Sequence, residues 1–307
     1  MTEQFEIAGT RAVVTGAAGD IGRCLVAGLM GGGARVLAVD HNPEALKAAF
    51  NGWDRDCVAT AECDITDEAA VGRLMAERVP SVLGGIDLLV NNAGIMVRGT
   101  PEETEFAQWR RLMGVNVDAA FLCAQAAGRL MKDQGSGAIV NIASIASVKA
   151  LDGRVAYCTS KAAIAHMTRS LAFEWGPHGI RTNAIAPGFI RSRMNADLRA
   201  IPGREAEMAE QVPLKRFAEP EELVGPLLFL ASPAARYVNG HVLFVDGDIE
   251  AGLAALGETK VLRPHAHQNV ARRVEAERAE VERGAVGKRK RTCCGVVAAR
   301  QHVHRWR

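Results

Sequence analysis

The chain has 307 residues, 48% of them Ala, Val, Ile, Leu, Met, Phe, Trp, Tyr or Cys, enough to bury a large core, and about 250 residues is ordinary for one doubly wound domain. Its formal charge of +2 conceals an asymmetry: from Gly257 on, Lys and Arg outnumber Asp and Glu 13 to 5, which leaves 24 against 30 before it. No apolar run approaches the length needed to cross a bilayer, the N-terminus shows no charged-then-apolar signal, and seven cysteines without metal-ligand spacing suggest reduced thiols in a cytoplasm.

In chain order, Arg11 to Thr15 is a short β-branched run that predicts a strand; it breaks into Gly16-Ala-Ala-Gly19-Asp20-Ile21-Gly22 and then into a helical pattern through Cys24, Leu25, Gly28 and Leu29. Glycines in such a turn let the backbone approach a pyrophosphate, which the free N–H groups and positive dipole end of the helix can bind. A second run, Arg35 to Val39, ends in Asp40, where a carboxylate can accept hydrogen bonds from an adenosine ribose. A glycine-rich stretch alone could be a tight loop, but strand, turn, helix, strand and acid in this order favour dinucleotide binding. Further strand patterns at 87–90, 139–142, 180–186 and 242–245 alternate with helical ones, which predicts a parallel sheet covered on both faces.

Between two of these strands lies Tyr157-Cys158-Thr159-Ser160-Lys161. A tyrosine and a lysine four apart on a helix share one face. A phenol with a pKa near ~10 is too weak an acid to serve as a base at neutral pH, but an ammonium within about 4 to 6 Å favours the phenolate. Such a pair can take a proton from an alcohol or give one to a ketone.

These segments together resemble the short-chain dehydrogenase/reductase family over roughly residues 5 to 253. The family turn, Thr-Gly-x-x-x-Gly-x-Gly, reads Thr15-Gly16-Ala17-Ala18-Gly19-Asp20-Ile21-Gly22, with Asp20 in place of the middle glycine. Asp suits a helix N-cap, but its charge near a pyrophosphate is unhelpful and should repel an additional phosphate. The resemblance implies an α/β fold, a doubly wound (Rossmann) single domain over residues 1–256 with a mainly parallel seven-stranded sheet, then a basic C-terminal tail over 257–307. It implies NAD as cofactor, held by Gly16, Asp20, Ile21, Gly22 and Asp40, by Asp64 and Ile65 at the adenine, and by Asn92, Ala93 and Gly94 after the fourth strand. Pro187, Gly188 and Ile190 belong beside the nicotinamide, with Tyr157 and Lys161. The catalytic set it implies is Asn116, Ser144, Tyr157 and Lys161: Tyr157 is the acid/base, Ser144 bonds the substrate oxygen, Lys161 lowers the tyrosine pKa, and Asn116 supports a water relay. No metal is expected, and a homotetramer or homodimer is.

For the substrate, Glu222 to Ala231 and Tyr237 to Asp246 are similar to the gluconate and sugar-acid dehydrogenase branch, ahead of 3-oxoacyl-thioester reductases and cyclic or xenobiotic alcohol dehydrogenases. Arg98 and Arg154 are candidates to clamp a substrate carboxylate beside Ser144 and Tyr157. A reading of another class, a non-catalytic nucleotide- or nucleic-acid-binding regulator, draws on Lys288-Arg-Lys-Arg291 in the tail. The Ser144/Tyr157/Lys161 set argues against it, since a binding module needs no tuned base. The tail reads as flexible and basic, with one short helix around Val270, Val274 and Val281, and neither nucleic acid nor membrane is expected as a partner.

Overall fold

The structure, a computed structural model, describes residues 3–249. The expected basic tail and its short helix lie outside these residues. Seven strands form one sheet: β1 (Arg11–Thr15), β2 (Arg35–Asp40), β3 (Val58–Glu62), β4 (Leu88–Asn91), β5 (Gly137–Ile142), β6 (Ile180–Pro187) and β7 (Val242–Val245). Their order is β3-β2-β1-β4-β5-β6-β7, and every pairing is parallel.

Parallel neighbours need crossover helices, so both faces of the sheet are covered and its central strands are buried almost throughout. Successive strand residues point to opposite faces. Ala12, Val14, Val36, Ala38, Val90 and Val140 meet α1 (Asp20–Gly31) and, further along the chain, the helix Val224–Ala231. Val13, Leu37, Val39, Leu89 and Ile139 meet the other layer. That layer contains α3 (Glu68–Arg73), α4 (Val79–Leu83), α6 (Ala119–Gln134) and α7 (Val155–Trp175), with α5 (Phe106–Met113) between α4 and α6 in the chain, while α2 (Pro43–Phe50) buries Leu46 and Phe50 in the cluster on the α1 side. Asn42 caps α2 by accepting from the Ala45 N–H at 3.0 Å, and Asp67 caps α3 by accepting from the N–H groups of Ala69 and Ala70.

The strand order reverses between β1 and β4, which start connections running in opposite directions. In a doubly wound sheet a crevice opens beyond the carboxyl ends of such strands. Two π turns interrupt the helices, at Leu74–Arg78 and at Gly114–Asp118. The second holds Asn116, in keeping with the frequency of π bulges at functional sites. After β6 the chain leaves the sheet as a lid with the short helices α8 (Ala196–Arg199) and α9 (Arg204–Glu210), then returns through α10 (Val224–Ala231) to β7.

Candidate active site

A cleft of about 960 Å³ lies at the carboxyl ends of β1, β2 and β4. Gly16, Asp20, Ile21, Gly22, Asp40, Asp64, Ile65, Asn92, Ala93 and Gly94, all expected at the cofactor, line it together. The glycines answer a packing demand. Gly16 has φ +61°, and a Cβ on it would lie 2.7 Å from the Ala93 Cα; one on Gly22 would lie 2.2 Å from the Gly16 carbonyl oxygen. A side chain at either position would fill the cradle from within. The turn is drawn against β4 by Asn92, whose Nδ2 donates to the carbonyls of Thr15 and Gly16 at 3.0 and 2.9 Å. Gly19 precedes α1 without a side-chain cap, so the first N–H groups of that helix face the cleft with no intrahelical acceptor. These features fit a dinucleotide diphosphate.

Asp40 closes β2. Its carboxylate accepts from the Ala18 N–H at 3.2 Å and from the Asn42 N–H at 3.2 Å, and His41 Nδ1 lies 3.1 Å from Oδ1. Asp64 accepts from the N–H and hydroxyl of Thr66 at 2.9 and 2.7 Å, and those bonds hold its carboxyl below the usual carboxylate range. Pro187, Gly188 and Ile190 are not lining residues of the cleft. Pro187 ends β6; a Cβ on Gly188 would lie 2.7 Å from the Asp246 Cα; Ile190 is buried and bridges to Ala218. Asp20 stands on the first turn of α1, but its charge is not bare: its carboxylate accepts from Arg193 Nε at 2.7 Å and from the Arg193 N–H at 2.5 Å.

Tyr157 and Lys161 fall on the buried face of α7 with Ala156, Ser160, Ile164 and Thr168, at helical spacing. Polar ties fix that helix on the sheet. Asn91 Nδ2 donates to Asn141 Oδ1 and Asn141 Nδ2 to Thr168 Oγ1, each at 2.9 Å, and the Ser147 hydroxyl donates to the Lys161 carbonyl at 2.9 Å. Ser144 begins the turn after β5, where its Oγ accepts from the Ala146 N–H at 3.1 Å. Its hydroxyl lies near enough to the Tyr157 phenol to pull that group's pKa down. Asn116 is fully engaged: its Oδ1 accepts from the Ile95 N–H at 2.8 Å, and its Nδ2 donates to the Ile95 carbonyl and to Ser160 Oγ, each at 3.0 Å. A Cβ placed on Gly94 would sit 3.4 Å from Asn116 Oδ1 and 3.6 Å from Lys161 Nζ, so the cofactor-side loop and the catalytic residues converge there.

The electrostatics differ from those expected from spacing. Burial pushes the Tyr157 phenol above its ordinary value of 10, against the downward pull of the nearby Ser144 hydroxyl. Lys161 is not among the groups that shift it. Its ammonium lies 5.7 Å from the centre of the tyrosine ring and donates instead to the Ile142 carbonyl at 2.7 Å. Burial in turn lowers the Lys161 amine from 10.5 to about 8. Below pH 8 this amine is charged in folded and unfolded chains alike, and folding bears the full cost of desolvating it. Between about 8 and 10.5 only the unfolded chain holds the proton, so stability rises with pH across that window. Lys161→Met should therefore stabilise the cofactor-free protein at neutral pH by up to about 3 kcal/mol, less whatever the unpaired Ile142 carbonyl costs. Calorimetry at rising pH should show that advantage shrinking toward pH 10.5. An advantage independent of pH would mean that the amine is not desolvated in the folded protein.

The two arginines proposed for substrate meet at one end of the site, close enough for the Arg98 charge to depress the Arg154 guanidinium after burial has done so. Arg98 is committed to the lid: Nη1 donates to Asp197 Oδ2 at 2.6 Å and Nη2 to the Met194 carbonyl at 2.8 Å. Arg154 is half-buried. It donates to the Asp152 carbonyl at 3.0 Å, and no carboxylate among the described residues forms an ion pair with it.

With this geometry in view, the comparisons with known proteins are specific. A family model described as enoyl-(acyl carrier protein) reductase matches residues 16–249. Gluconate 5-dehydrogenase of Gluconobacter oxydans is 40% identical over 253 residues, covering 81% of this chain and 98% of that protein. The chain belongs to the short-chain dehydrogenase/reductase family. D-threitol dehydrogenase of Mycolicibacterium smegmatis is 39% identical over 79% of this chain and 94% of its own. The crystal structure of a gluconate 5-dehydrogenase from Burkholderia cenocepacia in complex with NADP and tartrate superposes with a TM-score of 0.76 at 34% identity, covering 81% of this chain and 98% of that one. This short-chain dehydrogenase/reductase is accordingly an oxidoreductase of alcohol groups that uses a nicotinamide dinucleotide.

Several residues at the site of this short-chain dehydrogenase/reductase escape the motif reading. Thr15 does not line the cleft but builds its wall: its Oγ1 accepts from the Asn92 and Ala93 N–H groups at 3.1 and 3.3 Å and so joins β1 to β4. Arg193 and Met194 reach the cleft from the lid, and Arg111 from α5. Thr15 could have been found from its place in the turn motif, whereas the others carry no local signal.

Proposed function

We propose that this protein is an NAD(H)-dependent dehydrogenase that interconverts a secondary alcohol and a ketone on a sugar acid, or on a related polyol. The observation that carries this reading is the approach of the catalytic residues to the cleft wall: a Cβ on cleft-lining Gly94 would lie 3.6 Å from buried Lys161 Nζ, the Ser144 hydroxyl acts on the Tyr157 phenol, and Arg154 lies near cleft-lining Arg98.

In the oxidative direction Tyr157 removes the hydroxyl proton while Ser144 holds the same oxygen, and in reduction Tyr157 returns it. A nicotinamide bound in the cleft would supply the hydride acceptor or donor. Lys161 would bond the nicotinamide ribose of a bound cofactor. Asn116 acts as a positioning residue, since its amide is committed to Ile95 and Ser160, and water held near it returns the proton through Lys161. Arg154, with Arg98 beside it, orients the substrate carboxylate; the tartrate in the Burkholderia complex is a dicarboxylate carrying secondary alcohols, in keeping with that preference. The enzyme works as a homodimer or homotetramer, a reading supported by the exposed Phe121 on α6 and Phe173 on α7, the latter 84% exposed. Among the described residues, no helix is long and apolar enough to cross a membrane.

Asp40 supports NAD over NADP, because its carboxylate lies where an added ribose phosphate would meet negative charge. The NADP in the Burkholderia enzyme belongs to that protein, so the point needs its own test. Asp40→Ser should cut the ratio of kcat/KM for NAD over NADP by about tenfold, the equivalent of about 1.4 kcal/mol. An NADP preference in the parent would refute it. The substrate assignment is tested by kcat/KM over sugar acids, polyols, cyclic alcohols and 3-oxoacyl thioesters. Sugar acids should lead, and a lead by thioesters would replace the assignment.

A further inference from the structure

Asp20 presents a conflict. It stands on the first turn of α1, where a carboxylate favours the helix dipole but occupies the end that an anionic ligand would use. A bare carboxylate there would oppose the dinucleotide diphosphate.

The lid resolves the conflict. Arg193, 173 residues along the chain, donates to Asp20 through both its backbone N–H and its Nε, and its Nη2 donates to the Ala18 carbonyl at 3.0 Å. The contact therefore fixes the lid's main chain as well as a side chain, unlike a simple surface ion pair. Nη1 has no partner among the described residues, and the residue lines the same cleft as Gly16, Gly19 and Gly22. Four residues further on, Asp197 ties the lid to Arg98 on the loop after β4. Residues 193–197 are thus strapped to the loops after β1 and β4, one on each side of the switch point where the dinucleotide belongs.

We propose that Asp20 and Arg193 form a latch that holds the lid over the cofactor diphosphate: Asp20 orients Arg193, Arg193 supplies the cation that the diphosphate meets, and opening of this pair limits cofactor release. Asp20 is in this view a positioning residue and Arg193 a cofactor ligand. The proposal rests on the dinucleotide reading of the cleft and adds to it a reason for an acid at a position where the family turn carries glycine. The Arg193 side chain is 72% exposed, so the latch is open to screening by salt and weak enough to open in each cycle.

The test follows NADH release from the full-length protein by stopped-flow fluorescence, together with hydrogen exchange of the cofactor-free lid. Asp20→Asn and Arg193→Gln should each speed NADH release by about fivefold or more, and the double variant should release no faster than the faster single one. Without cofactor, residues 190–199 should exchange faster in both single variants while the sheet is unchanged. If Asp20→Asn slows release while Arg193→Gln speeds it, and the effects add, Asp20 merely repels the diphosphate and the latch is overturned. Unchanged lid exchange in the single variants overturns it equally. A parent protein that binds no NADH overturns the reading of the cleft, and the latch with it.

Discussion

Replacing Tyr157 with Phe is expected to lower kcat by at least ~10²-fold, the low end for loss of a general acid/base group, while NADH binding survives. The ring is 8% exposed, packed with Leu112, Ala146 and Ala156. Phenylalanine keeps that packing and removes only the oxygen that faces Ser144. No other phenol can substitute, because the chain's second tyrosine, Tyr237, is fully exposed and lies outside the site. A Phe variant that kept more than a tenth of the parent kcat would make Tyr157 a structural residue. The pH dependence carries the same signature. With the phenol held above 10 in the free protein, kcat/KM for oxidation should climb as pH rises toward that value, since the base must be deprotonated. Reduction, which needs the protonated phenol, should stay level over the same range and fall only above that value.

The second large effect falls on substrate charge. Arg154→Met should raise KM for a sugar acid by about tenfold or more, matching loss of a charged hydrogen bond of about 1.5 to 3 kcal/mol, and should leave a neutral polyol within about twofold. Arg154 is the sharper probe of the pair. Arg98 carries the tie to Asp197 and Met194, so truncating it loosens the lid and disturbs charged and neutral substrates together. Steady-state kinetics on matched acid and polyol substrates separates the two, and equal effects of Arg154→Met on both would shift the assignment to neutral alcohols or acyl thioesters.

The sheet was legible in the sequence because its strands are buried on both faces and read as continuous apolar runs. β1, β2, β4 and β5 show this most clearly, whereas β6 carries Arg181, Thr182 and Asn183 and the edge strand β7 has only its first residue buried. β3 shows it least: as an edge strand, Val58–Glu62 has only its first residue buried, and its place was marked mainly by the Asp64-Ile65 that follows. The turn glycines and the Tyr157/Lys161 pair were legible for a related reason, since each depends on local geometry with a fixed spacing.

Contacts that depend on where a long segment comes to rest were not legible. Nothing local marks Arg193 as a partner of Asp20 until the lid brings it there, and Arg98, read from the sequence as a carboxylate clamp, is tied instead to Asp197 from 99 residues away. Charge regulation was hidden for another reason. Spacing shows that Lys161 and Tyr157 share a helix face but not how deeply both are buried, and burial sets the direction of each shift. The π turn that carries Asn116 is similarly invisible, because nothing in Gly114-Val-Asn-Val-Asp118 breaks the helical pattern.

Hydride transfer itself offers the most direct test. The protein is incubated with NAD and a sugar acid deuterated at its carbinol carbons, and the reduced nucleotide is examined by NMR. The expected result is one deuterium at C4 of the nicotinamide, on one face only, with none formed by the Tyr157→Phe protein beyond about a hundredth of the parent rate. Reduced nucleotide carrying only solvent hydrogen, or none formed from any sugar acid or polyol, would contradict the assignment of this protein as a sugar-acid or polyol dehydrogenase.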